Sequence, residues 1–188
     1  MKKLNYAFML IAGIFLIAFS YILDEKVNLS LKNLRYQLLD IPLSIITNFS
    51  VVVLVMLAIP SIMLYKKNKN SAYMLWAAFI ISFISAFAVK MIVSRQRPMG
   101  EFYYPFTAIA DYSFPSMHSM IAFALLPILI KYLPKQKIFW ISFAFLVAFS
   151  RLYFSFHFLS DVVFGAIFGY AIGHFLLKYL KEKIKKFS

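Results

Sequence analysis

The stretch AYMLWAAFIISFISAFAVKMIV, residues 72–93, is the part of the sequence that decides the fold class. It carries no charge before Lys90. It is also long enough to cross the hydrocarbon core of a bilayer, which takes an α-helix about 20 residues. Five similar apolar runs occur along the chain, at residues 4–23, 41–65, 117–133, 138–156 and 158–180. None alternates as a membrane β-strand does, so we predict an all-α polytopic membrane protein, a bundle of six transmembrane helices.

The composition supports this fold class and excludes others. Of the 188 residues, 63% are hydrophobic and 14% are charged, and the mean hydropathy is +0.80. A soluble domain is about half apolar and about a quarter charged, so a water-soluble monomer is excluded. The length predicts one membrane-embedded domain over residues 1–188. Cysteine is absent, which excludes disulfides, thiolate metal sites and a cysteine nucleophile.

The basic residues predict the orientation of the bundle. In so apolar a chain, the net charge of +13 indicates contact with an anionic bilayer surface rather than with nucleic acid. With the N-terminus inside, 13 of the 20 Lys and Arg residues fall on the cytoplasmic side, and all of these are Lys. The positive-inside rule therefore predicts that both termini are cytoplasmic. Every arginine falls on the outer side: Arg35, Arg95, Arg97 and Arg151.

The segment between the first two apolar runs has a helical spacing of its own. Its apolar residues recur every three or four positions, at Val27, Leu31, Leu34, Leu38 and Ile41. This spacing is typical of a helix with one apolar face. We predict a helix over residues 24–40 that lies along the outer membrane interface.

Three polar clusters lie near the outer ends of the last four predicted helices. They are KMIVSRQRP at 90–98, PSMH at 115–118 and SRLYFSFHFLSD at 150–161. An ionisable residue at membrane depth costs roughly 2.5–3.5 kcal/mol on insertion scales, so such residues indicate a function or a partner.

The cations and the first turn of the fourth helix predict a site for a phosphate-like anion. Lys90, Arg97 and Arg151 bring three positive charges to one membrane face, and Arg binds phosphate through paired hydrogen bonds. Ser116 stands where it can cap the following helix, whose free N–H groups favour an anion. His118 falls in the first turn of that helix.

A second histidine has a carboxylate close to it in the sequence. His157 and Asp161 are four residues apart, which places them on one helix face if the helix begins by Phe156. A carboxylate bonded to one ring nitrogen fixes the tautomer and leaves the other nitrogen free to attack phosphorus. With His118 and the three cations, the set predicts phosphoryl transfer in which one histidine is the nucleophile and the other is the general acid.

The three clusters resemble the signature of the type-2 phosphatidic acid phosphatase superfamily, a family of membrane lipid phosphatases. That signature is K-x6-R-P, then P-S-G-H, then S-R-x5-H-x3-D. The sequence matches it from Lys90 to Asp161 except at Met117, which stands at the usual glycine. The resemblance implies that His157 forms a phosphohistidine and that Asp161 holds it. It further implies that His118 protonates the leaving oxygen and then activates the water that hydrolyses the intermediate.

The resemblance also implies how the substrate is bound. The phosphate-binding residues would be Lys90, Arg97, Ser116, Met117 (through its backbone) and Arg151. Neither a metal nor a cofactor is implied, and the expected partners are a lipid phosphate and the phospholipid bilayer. We favour undecaprenyl diphosphate, because a site on the periplasmic or extracellular side of the cell membrane suits its recycling. Phosphatidylglycerophosphate, phosphatidic acid and lipid A are the alternative substrates.

Two other functions fit part of the pattern. His118, His157 and Asp161 could form a two-histidine, one-carboxylate metal site, although three nearby cations disfavour a dication there. A transporter would spread its charges through the membrane depth, whereas here they crowd one side. Two further residues have simpler interpretations: Arg95 as an interfacial anchor and His174 as a structural residue.

Overall fold

The computed structural model describes the backbone of residues 2–99 and 112–187 and the side chains of residues 11–99 and 112–179. Every regular element within these ranges is helical, which confirms the all-α prediction. The helices are α1 (Lys2–Asn33), α2 (Gln37–Thr47), α3 (Phe49–Val53), α4 (Ile59–Lys67), α5 (Lys69–Val93), α6 (Met117–Tyr132), α7 (Lys137–Tyr153) and α8 (Leu159–Phe187). A π-helical turn (Leu54–Ala58) joins α3 to α4, and a 3-10 turn (Pro134–Gln136) precedes α7.

Three of the described helical segments are long and apolar enough to cross a membrane: Phe49–Lys67, Lys69–Val93 and Leu159–Tyr179. Helices α2 and α6 are apolar but shorter. The chain is therefore a helical membrane protein. The total of six spans and the cytoplasmic location of both termini stay predictions.

The separate interfacial helix predicted over residues 24–40 does not form. Helix α1 continues without interruption to Asn33, and α2 begins only at Gln37. The apolar spacing is helical, but after Gly13 this part of the sequence contains no glycine or proline that would end α1. The break falls instead beside Tyr36, whose backbone is extended (φ −125°, ψ 119°).

The helix predicted over residues 41–65 is divided at Asn48. This residue is extended (φ −66°, ψ 126°), and its side chain accepts a hydrogen bond from the N–H of Ser50 at 2.9 Å. Asparagine is among the best N-cap residues, so it ends α2 and starts α3. Farther along, Pro60 has no N–H to donate to the preceding turn, and the π-helical turn Leu54–Ala58 lies directly before it.

Helix α6 lies at the centre of the bundle. Its residues 119–129 are all buried, and it packs against α5, α7 and α8. The contact with α8 is between backbones, because a side-chain carbon added at Gly169 would lie 2.1 Å from the carbonyl oxygen of Met120. This close approach holds the start of α6 beside the first three turns of α8.

Candidate active site

The three polar clusters meet at one end of the bundle. The backbone N–H of Ser116, before α6, donates to the carbonyl of Asp161 in the first turn of α8 at 3.1 Å. The segment between α7 and α8 is held in turn by Arg151, whose carbonyl accepts from the N–H of His157 at 3.3 Å. Lys90 reaches the same region from the last turn of α5 and donates to the carbonyl of Tyr112.

The side chains of the three predicted phosphate-binding cations are buried or half-buried. Lys90 is 3% exposed and Arg151 is 7% exposed, while Arg97 is half-buried. Arg97 donates through Nη1 to the carbonyl of Phe156 at 2.8 Å. Arg151 donates through Nη1 to the hydroxyl of Thr47, the last residue of α2, at 2.6 Å. These two bonds orient the guanidinium groups of Arg97 and Arg151.

His157 lies just before α8, not within it. The helix begins at Leu159, so the predicted geometry of two residues on one helix face is wrong. Its Nδ1 lies 2.7 Å from the carbonyl oxygen of Ser113, whereas the carboxylate of Asp161 is 3.6 Å away. A carbonyl oxygen only accepts, so Nδ1 carries the hydrogen and the neutral ring has its lone pair on Nε2. The carbonyl of Ser113 therefore sets the tautomer that was predicted to depend on Asp161.

The surroundings of His157 keep its imidazole neutral. The ring is 3% exposed, and burial lowers its pKa well below the ordinary 6.5. The positive charges of Arg151, Arg97 and Lys90 lower the pKa further, in that order. Both effects disfavour a second proton on the ring, so the Nε2 lone pair is available at neutral pH.

His118 occupies the first turn of α6, as its position in the sequence predicts. Its Nε2 atom is buried and has no hydrogen-bond partner within the described part of the chain. The ring of Phe49 packs edge-on against it, with 5.2 Å between ring centroids. A buried nitrogen in this state can exchange a proton with a group that enters the site.

The start of α6 is capped as predicted. The hydroxyl of Ser116 accepts from the N–H of Ser119 at 3.5 Å and from its hydroxyl at 3.0 Å. The neighbouring Met117 packs its side chain, which is partly buried, against the hydrophobic core of the bundle. The methionine at the usual glycine position is thus accommodated in the core.

Sequence reasoning missed an ionic network behind the site. Arg95 bonds to Asp161 at 2.9 Å and to Asp24 at 2.8 Å, so its interpretation as an interfacial anchor is wrong. The only sequence signal for Asp24 was a carboxylate close to a long apolar run, where charges are costly. The residue types of Thr47 and Ser113 did not indicate a role in the site, because both contact site residues partly through their backbone carbonyls.

Two other sequence-based interpretations bear on the site. Among the described residues, no group of three or more His, Cys, Asp or Glu side chains is arranged to hold a metal ion. His174 is exposed and stacks on Tyr170. It lies thirteen residues beyond Asp161 on the same helix, or roughly 20 Å at the α-helical rise, so it is remote from the site.

Sequence comparisons relate the chain to known proteins. A sequence model described as the PAP2 superfamily matches residues 70–185. Phosphatidylglycerophosphatase B of Bacillus subtilis is 36% identical over 110 residues, which are 53% of this chain and 52% of that protein. The chain thus matches about half the length of this relative.

Two solved structures have a similar fold. The transmembrane PAP2 type phosphatidylglycerolphosphate phosphatase from Bacillus subtilis has a TM-score of 0.73 and 25% identity, covering 97% of this chain and 98% of its own. LpxE of Aquifex aeolicus has a TM-score of 0.66 and 24% identity, covering 84% of this chain and 96% of its own. Since the family match covers well over half of the chain and runs through all three polar clusters, the resemblance found in the sequence is confirmed: the chain belongs to the PAP2 superfamily.

Proposed function

We propose that the protein is a membrane lipid phosphatase that works through a phosphohistidine on His157. The observation that carries this proposal is the state of that ring. It is buried, its Nδ1 is bonded to the carbonyl of Ser113 at 2.7 Å, and three cations act on it. A histidine with a fixed tautomer and a free Nε2 beside an anion site suits attack on phosphorus.

The reaction follows in two steps. The Nε2 lone pair of His157 attacks phosphorus, the ester or anhydride P–O bond breaks, and His118 gives its proton to the leaving oxygen. His118 then takes a proton from water, the water oxygen bonds to phosphorus, and the P–N bond breaks. Inorganic phosphate leaves and both histidines return to their starting states, so one water is consumed in each turnover.

The remaining residues of the site bind and orient. Lys90, Arg97 and Arg151 hold the phosphoryl oxygens and balance the charge that develops on them. The first turn of α6 offers the free N–H groups of Met117 and His118 to the same oxygens. Asp161, 3.6 Å from the His157 ring, stabilises the positive charge that this ring gains on attack.

We place phosphatidylglycerophosphate first among the substrates and undecaprenyl diphosphate second. The sequence alone favoured the diphosphate, but two of the three proteins named above are phosphatidylglycerophosphate phosphatases. Phosphatidic acid and lipid A follow. The proposal includes six spans in the cell membrane, cytoplasmic termini, an outward-facing site and independence of metal.

Phosphate release by the detergent-purified protein tests this function. With excess EDTA present, we expect hydrolysis of phosphatidylglycerophosphate, and slower hydrolysis of undecaprenyl diphosphate, phosphatidic acid and lipid A. Metal independence is expected because the cations of the site are Lys and Arg side chains. If EDTA abolishes activity and Mg²⁺ restores it, the metal-free mechanism is wrong. If no lipid is hydrolysed in either condition, the phosphatase proposal is wrong.

The pH dependence provides a second test. Burial and the charges of Arg151, Arg97 and Lys90 lower the pKa of His157. The neutral nucleophile exists above its pKa and is lost as pH falls through it. The acidic limb of kcat/KM, which reports the free enzyme, should therefore lie below pH 6.5. We expect Arg151→Gln to move this limb to higher pH. A limb above pH 6.5 that keeps its position when the substrate is changed from a phosphate monoester to a diphosphate would contradict the neutral, buried state of the ring.

A further inference from the structure

A carboxylate of α1 reaches across the bundle to the start of α8. Asp24 is 3% exposed. Its Oδ1 accepts from the backbone N–H of Ser160 at 2.8 Å, and its Oδ2 accepts from the hydroxyl of the same residue at 2.6 Å. The two residues are 136 positions apart. A contact this buried and this distant in sequence fixes α1 against the first turn of α8.

These bonds give the first turn of α8 an acceptor that the residue before the helix cannot supply. The first N–H groups of a helix have no partner within the helix, and an acidic acceptor near them is stabilising. Phe158, the residue before the helix, has no side-chain acceptor. Asp24 supplies the acceptor from α1, and Asp161 accepts from the N–H of Phe158 at 2.8 Å. Two carboxylates thus hold the first turn of α8.

Arg95 joins the two carboxylates. Its Nη2 donates to Asp24 at 2.8 Å, and its Nη1 donates to Asp161 at 2.9 Å and to Ser160 at 2.8 Å. The guanidinium also lies over the ring of Phe158, 4.0 Å from its centre. Both terminal nitrogens are therefore engaged with α1 and α8. Lysine lacks the planar, forked donors that this bridging requires.

We infer that Asp24 and Arg95 are positioning residues, which fix Asp161 and the His157 ring for attack without binding the phosphate themselves. The inference rests on the function proposed above and extends it to α1, because Asp24 lies outside the family match at 70–185. In this arrangement α1 is part of the catalytic architecture. Small displacements of reacting groups lower rates strongly, by up to about 100-fold for 1 Å.

Steady-state kinetics separate positioning from phosphate binding. We expect Asp24→Asn and Arg95→Lys each to lower kcat by roughly tenfold to 100-fold, with KM and inhibition by inorganic phosphate nearly unchanged. The double variant should lose little more than either single variant, because both residues act through one network. Glu25→Gln is the matched control, since this neighbouring carboxylate is exposed, and its kcat should stay at the level of the unmodified protein.

Two results would overturn the inference. A rise in KM and in the phosphate inhibition constant with kcat retained would mean that Arg95 binds the phosphate directly. Full activity of Asp24→Asn, or additive losses in the double variant, would mean that no shared network positions the site.

A readout independent of activity separates this inference from the proposed function. Ring ¹⁵N resonances of the three histidines, assigned with His→Gln variants, report tautomer and environment. Asp24→Asn should shift the His157 resonances, while Glu25→Gln and the His174 resonances should show no change. If the unmodified protein hydrolyses no lipid, the function fails but this measurement still tests the positioning. Unshifted His157 resonances in Asp24→Asn would refute it.

Discussion

We expect His157→Gln to lower phosphate release by at least about 1,000-fold, since loss of the nucleophile in a covalent mechanism removes the whole catalytic route. Glutamine is polar and of similar length, so it can still donate to the carbonyl of Ser113 and fill the buried site. The variant should fold and bind the lipid, with KM little changed. The measurement is phosphate release in detergent, beside a thermal unfolding curve.

Detection of the phosphohistidine intermediate is a more direct test of His157 as the nucleophile. With a ³²P-labelled lipid and an alkaline quench, which preserves phosphohistidine, the unmodified protein should carry label and His157→Gln should carry none. His118→Gln should accumulate label from a substrate with a good leaving group, because it lacks the base that activates water. His174→Gln is the matched control and should behave as the unmodified protein. Label retained in His157→Gln would place the nucleophile elsewhere.

The sequence predicts the helices well because apolar runs report burial in lipid directly. It predicts their ends less well, because the decisive features are small and local. A single Asn48 side chain divides one predicted helix. The absence of any helix breaker extends α1 ten residues beyond the run that ends at Leu23. Hydropathy averaged over a window cannot register either effect.

The chemistry of the site is predictable for those side chains whose types and spacing are informative. His118, His157 and the three cations come together as the spacing indicates. The hydrogen-bond acceptor of the His157 ring is not predictable in this way. It is the backbone carbonyl of Ser113, and because every residue has a backbone carbonyl, the residue type does not indicate it. The role of Asp24 could not be predicted for another reason. Its partner Ser160 is 136 residues away, and a single sequence does not show which distant residues are in contact.

The spacing of three glycines in α8 has a structural meaning that the apolar pattern conceals. Gly165, Gly169 and Gly173 recur every four residues and face α6. A side-chain carbon at Gly169 would lie 2.1 Å from the carbonyl oxygen of Met120, and one at Gly173 would lie 2.1 Å from that of Ala124. Small residues at this spacing let membrane helices pack backbone to backbone. This approach sets the separation of α6 and α8, and hence the distance between the site residues that the two helices carry.

We therefore expect Gly169→Ala to be among the most damaging single-methyl changes in the described part of the chain. The methyl group meets backbone, which no rotamer change can move, so α8 must shift away from α6. Overpacking of this kind costs about 1–3 kcal/mol or more, which lowers Tm by roughly 2–12 °C for a domain of this size. Phosphate release should fall as well, because His118 and Asp161 are carried by the two separated helices.

Gly13→Ala is the matched control, and its expected effect has the opposite sign. A carbon added at Gly13 would meet the side chain of Ile167 at 3.7 Å, an ordinary contact. Alanine is favoured over glycine inside a helix by about 1 kcal/mol, so this variant should be as stable as the unmodified protein or slightly more stable. Alanine has the same helix propensity advantage at Gly169, so a loss of stability there is due to the clash of the methyl group with the Met120 carbonyl. Equal Tm values for the two variants would show that α6 and α8 do not pack through their backbones.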